Sequence, residues 1–321
     1  MTTLAFHAQV QDLLPEVEAR MRGQTNGYHP ALKKALDQLL DSGGKRVRPT
    51  VVLLVCGMLG VDREESLNLA AAVELLHTAT LVHDDLIDGS TLRRGSPTLN
   101  STWNAPATIL AGDFLFSQAA SLGAQVESPV VMRMFASTLS TIVNGEIDQI
   151  FERNSVTHRE DYNQRIYAKT ATMFEMAARA PAHLVGKEDQ YDEPLRLYGY
   201  SVGMAFQIVD DILDFSSDSK TLGKPVASDL RIGLLTLPAI YYLESHPSDE
   251  RLKQFQSGVT LDAPLMEALV EDIRKSGAVE KAREEAHQQV QNALSALDRL
   301  PAGPEREALA DLAGYVVERL H

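Results

Sequence analysis

Two short acidic segments carry the residues best suited to chemistry. His83-Asp84-Asp85-Leu86-Ile87-Asp88 and Gln207-Ile208-Val209-Asp210-Asp211-Ile212-Leu213-Asp214 share the pattern Asp-Asp-x-x-Asp inside apolar flanks. On a helix, Asp84 and Asp88 fall on one face, as do Asp210 and Asp214. Like charges at that spacing repel one another and cost stability unless a cation sits between them. Oxygen donors of this kind suit a hard divalent ion; magnesium takes one or two carboxylates and completes its shell with water and phosphate oxygens. One such patch is as readily a solvated helix end. Two copies, each embedded in Leu, Ile and Val, point instead to metal-assisted chemistry on an anion.

Cations stand close by in sequence. Gly43-Gly44-Lys45-Arg46-Val47-Arg48-Pro49 joins two helices; its glycines let backbone approach an anion, with Lys45 and Arg48 converging from the start of the next helix. Arg93-Arg94-Gly95 begins five residues beyond Asp88, and guanidinium groups make forked contacts with phosphate. Lys169-Thr170 within a helix and Gly223-Lys224 in the loop after the second patch are weaker candidates for the same task. Either basic turn alone would be ordinary surface charge. Together with metal ligands they describe a diphosphate bridged by magnesium on one side and gripped by arginine on the other. A nucleotide fits less well, because the chain has neither a Walker A loop nor a Gly-x-Gly-x-x-Gly following a strand.

These residues must be positioned by helices. Apolar residues recur at three and four positions, and β-branched alternation is rare. The clearest helix runs from about Arg63 to Asp88, with Leu67, Ala71, Glu74, Leu75, Thr78, Val82 and Asp85 near one line. Others are expected over roughly Ala105–Gln125, Pro129–Phe151, Glu160–Gly186, Pro194–Phe215, Leu234–Leu243, Pro264–Lys275 and Val279–Leu297, with Pro181 kinking or breaking its helix. No repeat or long linker interrupts the 321 residues. The expectation is a single all-α domain over 1–321, a bundle of ten or more helices. A net charge of −14 disfavours nucleic acid, and a single cysteine, Cys56, excludes an intrachain disulfide and a cysteine metal site. With no signal-like start and no apolar run of about 20 residues, the expected protein is cytoplasmic and spans no membrane.

The combined motifs resemble the trans-type polyprenyl diphosphate synthases, in particular long-chain, octaprenyl- or heptaprenyl-like members. The resemblance rests on the Gly43–Pro49 turn, the segment from Glu74 to Asp88, Arg93-Arg94-Gly95, Gly112-Asp113-Phe114-Leu115-Phe116, Gly145-Glu146-Ile147-Asp148-Gln149, Ala168-Lys169-Thr170, and Gln207–Asp214 followed by Leu222-Gly223-Lys224-Pro225. It implies a homodimer of all-α subunits, each with a deep central cavity, that condenses isopentenyl diphosphate with an allylic diphosphate head to tail. It implies about three Mg²⁺ per active site, held by Asp84, Asp88 and Asp210, with Asp85, Asp211 and Asp214 as neighbouring or water-mediated ligands. Gly44, Lys45, Arg48, His77 and Arg94 would hold isopentenyl diphosphate. Arg93, Lys169, Thr170 and Lys224 would hold the allylic diphosphate, with Gln207 beside the developing cation. One position departs from the pattern: Leu234 stands where a lysine is usual, and Arg231 is the nearest substitute.

Ala79 and Thr80 lie one helical turn before Asp84, where in the resembled family a bulky aromatic closes the cavity early. By that resemblance, small residues there imply a product of C25 or longer, roughly C30 to C50. Phe114, Phe116, Met134 and Phe135 are candidates for a deeper floor, and each is also explained by core packing. So apolar a product would pass to a membrane. Rival readings are a farnesyl- or geranylgeranyl-length synthase, a terpene cyclase, a regulatory partner subunit, and a di-iron bundle built on Glu74, His77, Glu284 and His287 with Glu146 and Glu175.

Overall fold

A computed structural model of the chain describes residues 5–151, 158–216, 226–257, 259 and 261–320. Its regular structure is almost wholly helical: α1 Leu14–Gly23, α2 Pro30–Asp41, α3 Val47–Leu59, α4 Arg63–Ile87, α5 Leu99–Thr102, α6 Ala105–Ala124, α7 Pro129–Phe151, α8 Arg159–Ile166, α9 Thr172–Leu184, α10 Glu188–Ser216, α11 Ser228–Arg231, α12 Leu237–Ser245, α13 Glu250–Gln256, α14 Ala263–Lys275, α15 Ala278–Leu297 and α16 Pro304–Glu318. The chain divides into two compact units. One comprises Met1–Ser137, Met176–Leu195 and Arg299–Asp311; the other comprises Thr138–Glu175, Arg196–Asp298 and Leu312–His321.

In the first unit α4 is the central element, packed by α1, α3 and α6. Asp62 caps its start, accepting from the Glu64 backbone at 2.8 Å. Sixteen of its 25 residues are buried, far more than one amphipathic stripe needs, so the helix runs through the core. All seven residues expected near one line, Leu67 to Asp85, are among the buried ones. Its acidic end therefore emerges from apolar packing. α6 passes close to that end: a Cβ on Gly112 would lie 2.2 Å from the His83 imidazole. Beyond α4, Leu92–Arg93 pairs antiparallel with Ser96–Pro97. The two residues between the strands, Arg94 and Gly95, both have positive φ, the signature of a two-residue hairpin turn.

The expected helix over Glu160–Gly186 is three elements. α8 ends at Ile166, a π-helical turn occupies Tyr167–Ala171, and α9 follows. The interruption is thus the π turn, and Pro181 lies inside α9 without ending it. α10 starts six residues before the expected Pro194, which sits within it. Gly199 and Gly203, one turn apart on α10, let its backbone touch α9: added Cβ atoms would lie 2.5 Å from the Phe174 carbonyl oxygen and 2.5 Å from the Ala171 Cα. Gln207 and Asp211 continue the same four-residue spacing, so this close approach aims them at the π turn. Gly145 of α7 likewise abuts Ala168, where a Cβ would meet the alanine methyl at 2.4 Å.

Gly203→Ala forces backbone apart and is expected to cost about 1–3 kcal/mol. Gly57→Ala in α3 meets only the flexible Glu305 side chain at 3.4 Å and is expected to gain up to about 1 kcal/mol of helix propensity. Urea denaturation of both variants checks the contrast.

Candidate active site

The basic residues of the first unit meet around the turn between α2 and α3 and the interior of α4. Arg46 sits at the start of α3 in the left-handed region, φ 47°. Its guanidinium binds Glu18 at 2.8 Å and Glu74 at 3.0 Å, and its side chain is only 10% exposed. That buried double pair fixes the Gly43–Pro49 turn, leaving Lys45 exposed and Arg48 in the first turn of α3. The Arg48 guanidinium lies 3.2 Å from His77 Nε2. Burial and the surrounding Arg48, Arg94, Arg93 and Arg46 hold the His77 imidazole well below its ordinary range, so it is neutral at pH 7. A guanidinium only donates, so Nε2 accepts and the ring proton is on Nδ1. Arg94 donates to the Gly43 carbonyl and packs on Gly44, where a Cβ would lie 2.8 Å from its Nη1. Gly44, Arg48, His77 and Arg94 are thus gathered at one turn.

At the acidic end of α4 the three aspartates are unequal. Asp85 is 4% exposed and accepts from Arg93 Nε at 2.9 Å, tying α4 to the hairpin. Asp84 is half-buried, and Asp88, closing the helix, is exposed. In the second patch only Asp211 is buried, and Asp210 and Asp214 are half-buried. Asp211 is buried and accepts from Gln207 Nε2 at 3.0 Å and from the Tyr162 hydroxyl at 2.8 Å. Burial, aided by the charge of Asp229, pushes its carboxyl up to about 7. Asp214 accepts from the Ser228 backbone at 3.1 Å, the Ser228 hydroxyl at 2.7 Å and the Asp229 backbone at 3.2 Å, and so holds the start of α11. Asp210 is half-buried and is bound by Arg319 at 2.6 Å, whose guanidinium also lies 4.6 Å over the Phe206 ring.

On the π turn, Lys169 faces Glu146 at 3.7 Å, and the Thr170 hydroxyl donates to Gln207 Oε1 at 2.7 Å. Lys224 lies outside the described residues. Arg231, three residues before Leu234, donates from Nε to the Val226 carbonyl at 2.8 Å and from Nη2 to Glu267 at 2.7 Å. Ala79 and Thr80 are buried in α4. Phe114 packs against the exposed Tyr28, and Phe116 against His83. Phe135 is buried, and its ring and the Ala72 methyl each come within 3.9 Å of the Cβ position at Gly123. A depression of about 760 Å³ lies in the second unit, lined by Arg159, Arg196, Glu160, Glu175, Tyr167 and Tyr200 among others; it includes none of the six aspartates.

The donor set fits a hard cation. Among the described residues no three His, Cys, Asp or Glu side chains are grouped closely enough to hold an ion alone. An ion at either patch would complete its shell with water and substrate oxygens, the habit of magnesium. A di-iron centre fits poorly, since Glu74 is committed to Arg46 and Glu284 and His287 are exposed.

The model of the polyprenyl synthetase family matches residues 29–273, crossing both units. The chain belongs to this family. It is 38% identical over 284 residues to the geranyl-diphosphate-specific all-trans-nonaprenyl-diphosphate synthase of Rhodobacter capsulatus, covering 88% of this chain and 87% of that protein. It is 34% identical to heptaprenyl diphosphate synthase component 2 of Bacillus subtilis, covering 97% and 89%. A crystal structure of the polyprenyl synthase of Caulobacter crescentus, complexed with calcium and isoprenyl diphosphate, superposes with a TM-score of 0.88 at 33% identity, covering 97% and 96%. As a polyprenyl synthetase the chain is an enzyme, a trans-prenyltransferase of the long-chain group in a family that is metal-dependent in general. None of the helices among the described residues is long and apolar enough to cross a membrane.

Three residues of this site escape sequence reasoning: Arg46, Tyr162 and Arg319. The Arg46 signal is its place between two other cations in a glycine turn; Tyr162 and Arg319 meet their aspartates only through the fold.

His77 also carries a pH signature. The folded protein resists protonating this ring, whereas the unfolded chain takes up the proton near the ordinary value of 6.5. Stability from this group is therefore complete above 6.5 and lost as pH falls below it, by up to about 1.4 kcal/mol per pH unit. His77→Asn should flatten the fall in denaturation free energy between pH 7 and pH 5; an unchanged slope would contradict a neutral imidazole.

Proposed function

We propose that this enzyme condenses isopentenyl diphosphate with an allylic diphosphate to give a product of C25 or longer, roughly C30 to C50, and that Asp84, Asp88 and Asp210 are its magnesium ligands, with about three ions per site. The observation that carries the reading is the inequality within each patch. Asp85, Asp211 and Asp214 spend their oxygens on Arg93, on Tyr162 and Gln207, and on the start of α11. Asp84 is half-buried and Asp88 exposed at the end of α4, and Asp210 already meets a cation in Arg319, so each stands where a divalent ion can be shared with substrate. Magnesium, when bound, supplies Lewis-acid stabilisation to a diphosphate as it departs.

The chain's own residues do the rest. Gly44, Lys45, Arg48, His77 and Arg94 hold the isopentenyl diphosphate, the neutral His77 orienting Arg48 by accepting from it. Arg93, Lys169, Thr170 and Lys224 hold the allylic diphosphate and meet its charge as the C–O bond breaks. The double bond of isopentenyl diphosphate then attacks the allylic carbon, and the proton lost from the adduct goes to the departing diphosphate, so no protein base is required. Apolar walls around the allylic chain exclude water, which would otherwise capture the cation. Ala79 and Thr80 leave room for growth, and Phe135, deep in the first unit, is a better floor than Phe114, whose ring meets the exposed Tyr28.

We read the assembly as a homodimer in the cytoplasm that delivers its product to a membrane. Ile109 and Leu110 on α6, 45% and 66% exposed, form an apolar patch that a second copy would cover. The Bacillus subtilis relative, named as component 2, makes a different partner chain the competing outcome. Light scattering of the purified chain distinguishes the two.

Labelled isopentenyl diphosphate offered with Mg²⁺ and separate C5, C10, C15 and C20 primers should yield products of C25 or longer. Asp84→Ala and Asp210→Ala should each lower turnover by at least about 10³-fold while circular dichroism stays native, and near-normal rates would overturn the ligand assignment. Ala79→Phe should shorten the product; an unchanged length removes that residue from the cavity wall.

A further inference from the structure

We infer that Tyr162 is a positioning residue for the allylic half of the reaction, acting through Asp211 on Gln207 and Thr170. The inference rests on the functional reading above and adds a residue to it. Tyr162 is fully buried, and its hydroxyl has one recorded acceptor, Asp211 Oδ2 at 2.8 Å. The other carboxylate oxygen, Oδ1, accepts from Gln207 Nε2 at 3.0 Å, and Gln207 Oε1 accepts from the Thr170 hydroxyl at 2.7 Å. The amide nitrogen of Gln207 thus faces Asp211 and its oxygen faces Thr170, and Asp211 accepts from both its neighbours.

The backbone is shaped for this row. Tyr162 and Thr170 are eight residues apart. In an unbroken α-helix of 3.6 residues per turn they would point about 80° away from each other. The π turn at Tyr167–Ala171 is wider per turn and takes up that excess, so both side chains reach α10, where Gln207 and Asp211 stand one turn apart. Gly199 and Gly203, on the same stripe, bring the two backbones close enough for the bonds to form. A π turn is a costly departure from α-helix and tends to mark functional sites. Here it carries Lys169 and Thr170, and Tyr162 anchors the helix leading into it.

Tyr162 touches no substrate in this scheme. Without its hydroxyl, Asp211 keeps one donor, and the carboxylate is free to rotate. The Gln207 amide then loses its fixed orientation beside the allylic carbon, and Thr170 loses its acceptor. The isopentenyl side, built on Arg48, His77 and Arg94, shares none of these bonds.

The test compares Tyr162→Phe with wild type in three readouts: kcat, KM for isopentenyl diphosphate, and calorimetric affinity for an inert allylic thiolodiphosphate in Mg²⁺. We expect kcat and affinity for the analogue each to fall about tenfold or more, with KM for isopentenyl diphosphate within twofold of wild type. Incorporating p-aminophenylalanine at 162, which restores a donor at the same position, should recover most of the loss. Should the Phe variant fold poorly, 4-fluorophenylalanine fills the oxygen's volume without a donor and gives the same comparison. Unchanged analogue affinity and kcat, or an equal loss on both substrates, overturns the inference. Wild-type protein that fails to bind the analogue with Mg²⁺ sinks the functional reading itself, whereas normal wild-type binding with an unaffected variant sinks only the role of Tyr162.

Discussion

Aspartates placed side by side at a helix end repel one another, and the local structure of both acidic patches is arranged around that repulsion. In each patch the carboxylates with internal partners are anchors. Asp85 is neutralised by Arg93 and ties α4 to the hairpin that carries Arg94. Asp211 is bound from both sides within the second unit, and Asp214 gathers the chain returning at Ser228. Asp84 and Asp210 are half-buried, as Asp214 is, and Asp88 is exposed. Asp210 meets Arg319 at 2.6 Å, a pairing that shows how strongly a cation is favoured at that oxygen.

The positioning of these groups depends on what is missing from the side chains around them. Gly112 admits His83, Gly44 admits the Arg94 guanidinium, and Gly199 with Gly203 admits the backbone of α9. A methyl at any of these positions would sit within 3 Å of a neighbouring atom, so packing reaches the reacting groups without an intervening side chain. Arg46 works in the opposite sense. It fills its site with a buried charge whose two carboxylate partners hold a left-handed backbone at the entrance to α3. That strained residue turns the glycine loop and sets where its neighbours Lys45 and Arg48 stand.

Much of this was readable from the chain alone, for reasons that differ from residue to residue. The helices over α4, α6 and α7 follow from apolar spacing, because each presents a face to the core. The aspartates and arginines declare themselves by density, since like charges are rarely clustered without cause. The π turn was not readable: Tyr167–Ala171 has the composition of ordinary helix, and its geometry comes from packing against Gly145 and Gly203. Nor was the role of Tyr162, a common core residue whose partner lies 49 positions away. The Glu267 partner of Arg231 was equally out of reach, because it lies 36 positions away. The division of the chain into two compact units was equally hidden, since each unit is assembled from three separate stretches.

We propose that Asp84, Asp88 and Asp210 bind the metal ions that hold the diphosphate substrate. The most direct test is a crystal structure of the enzyme with Mn²⁺ and an inert allylic thiolodiphosphate, with the ions located by anomalous scattering. The account predicts peaks within about 2.0–2.3 Å of carboxylate oxygens of Asp84 and Asp88, and of Asp210, with diphosphate oxygens completing each shell. Peaks on one patch alone, or none near these carboxylates, would contradict it.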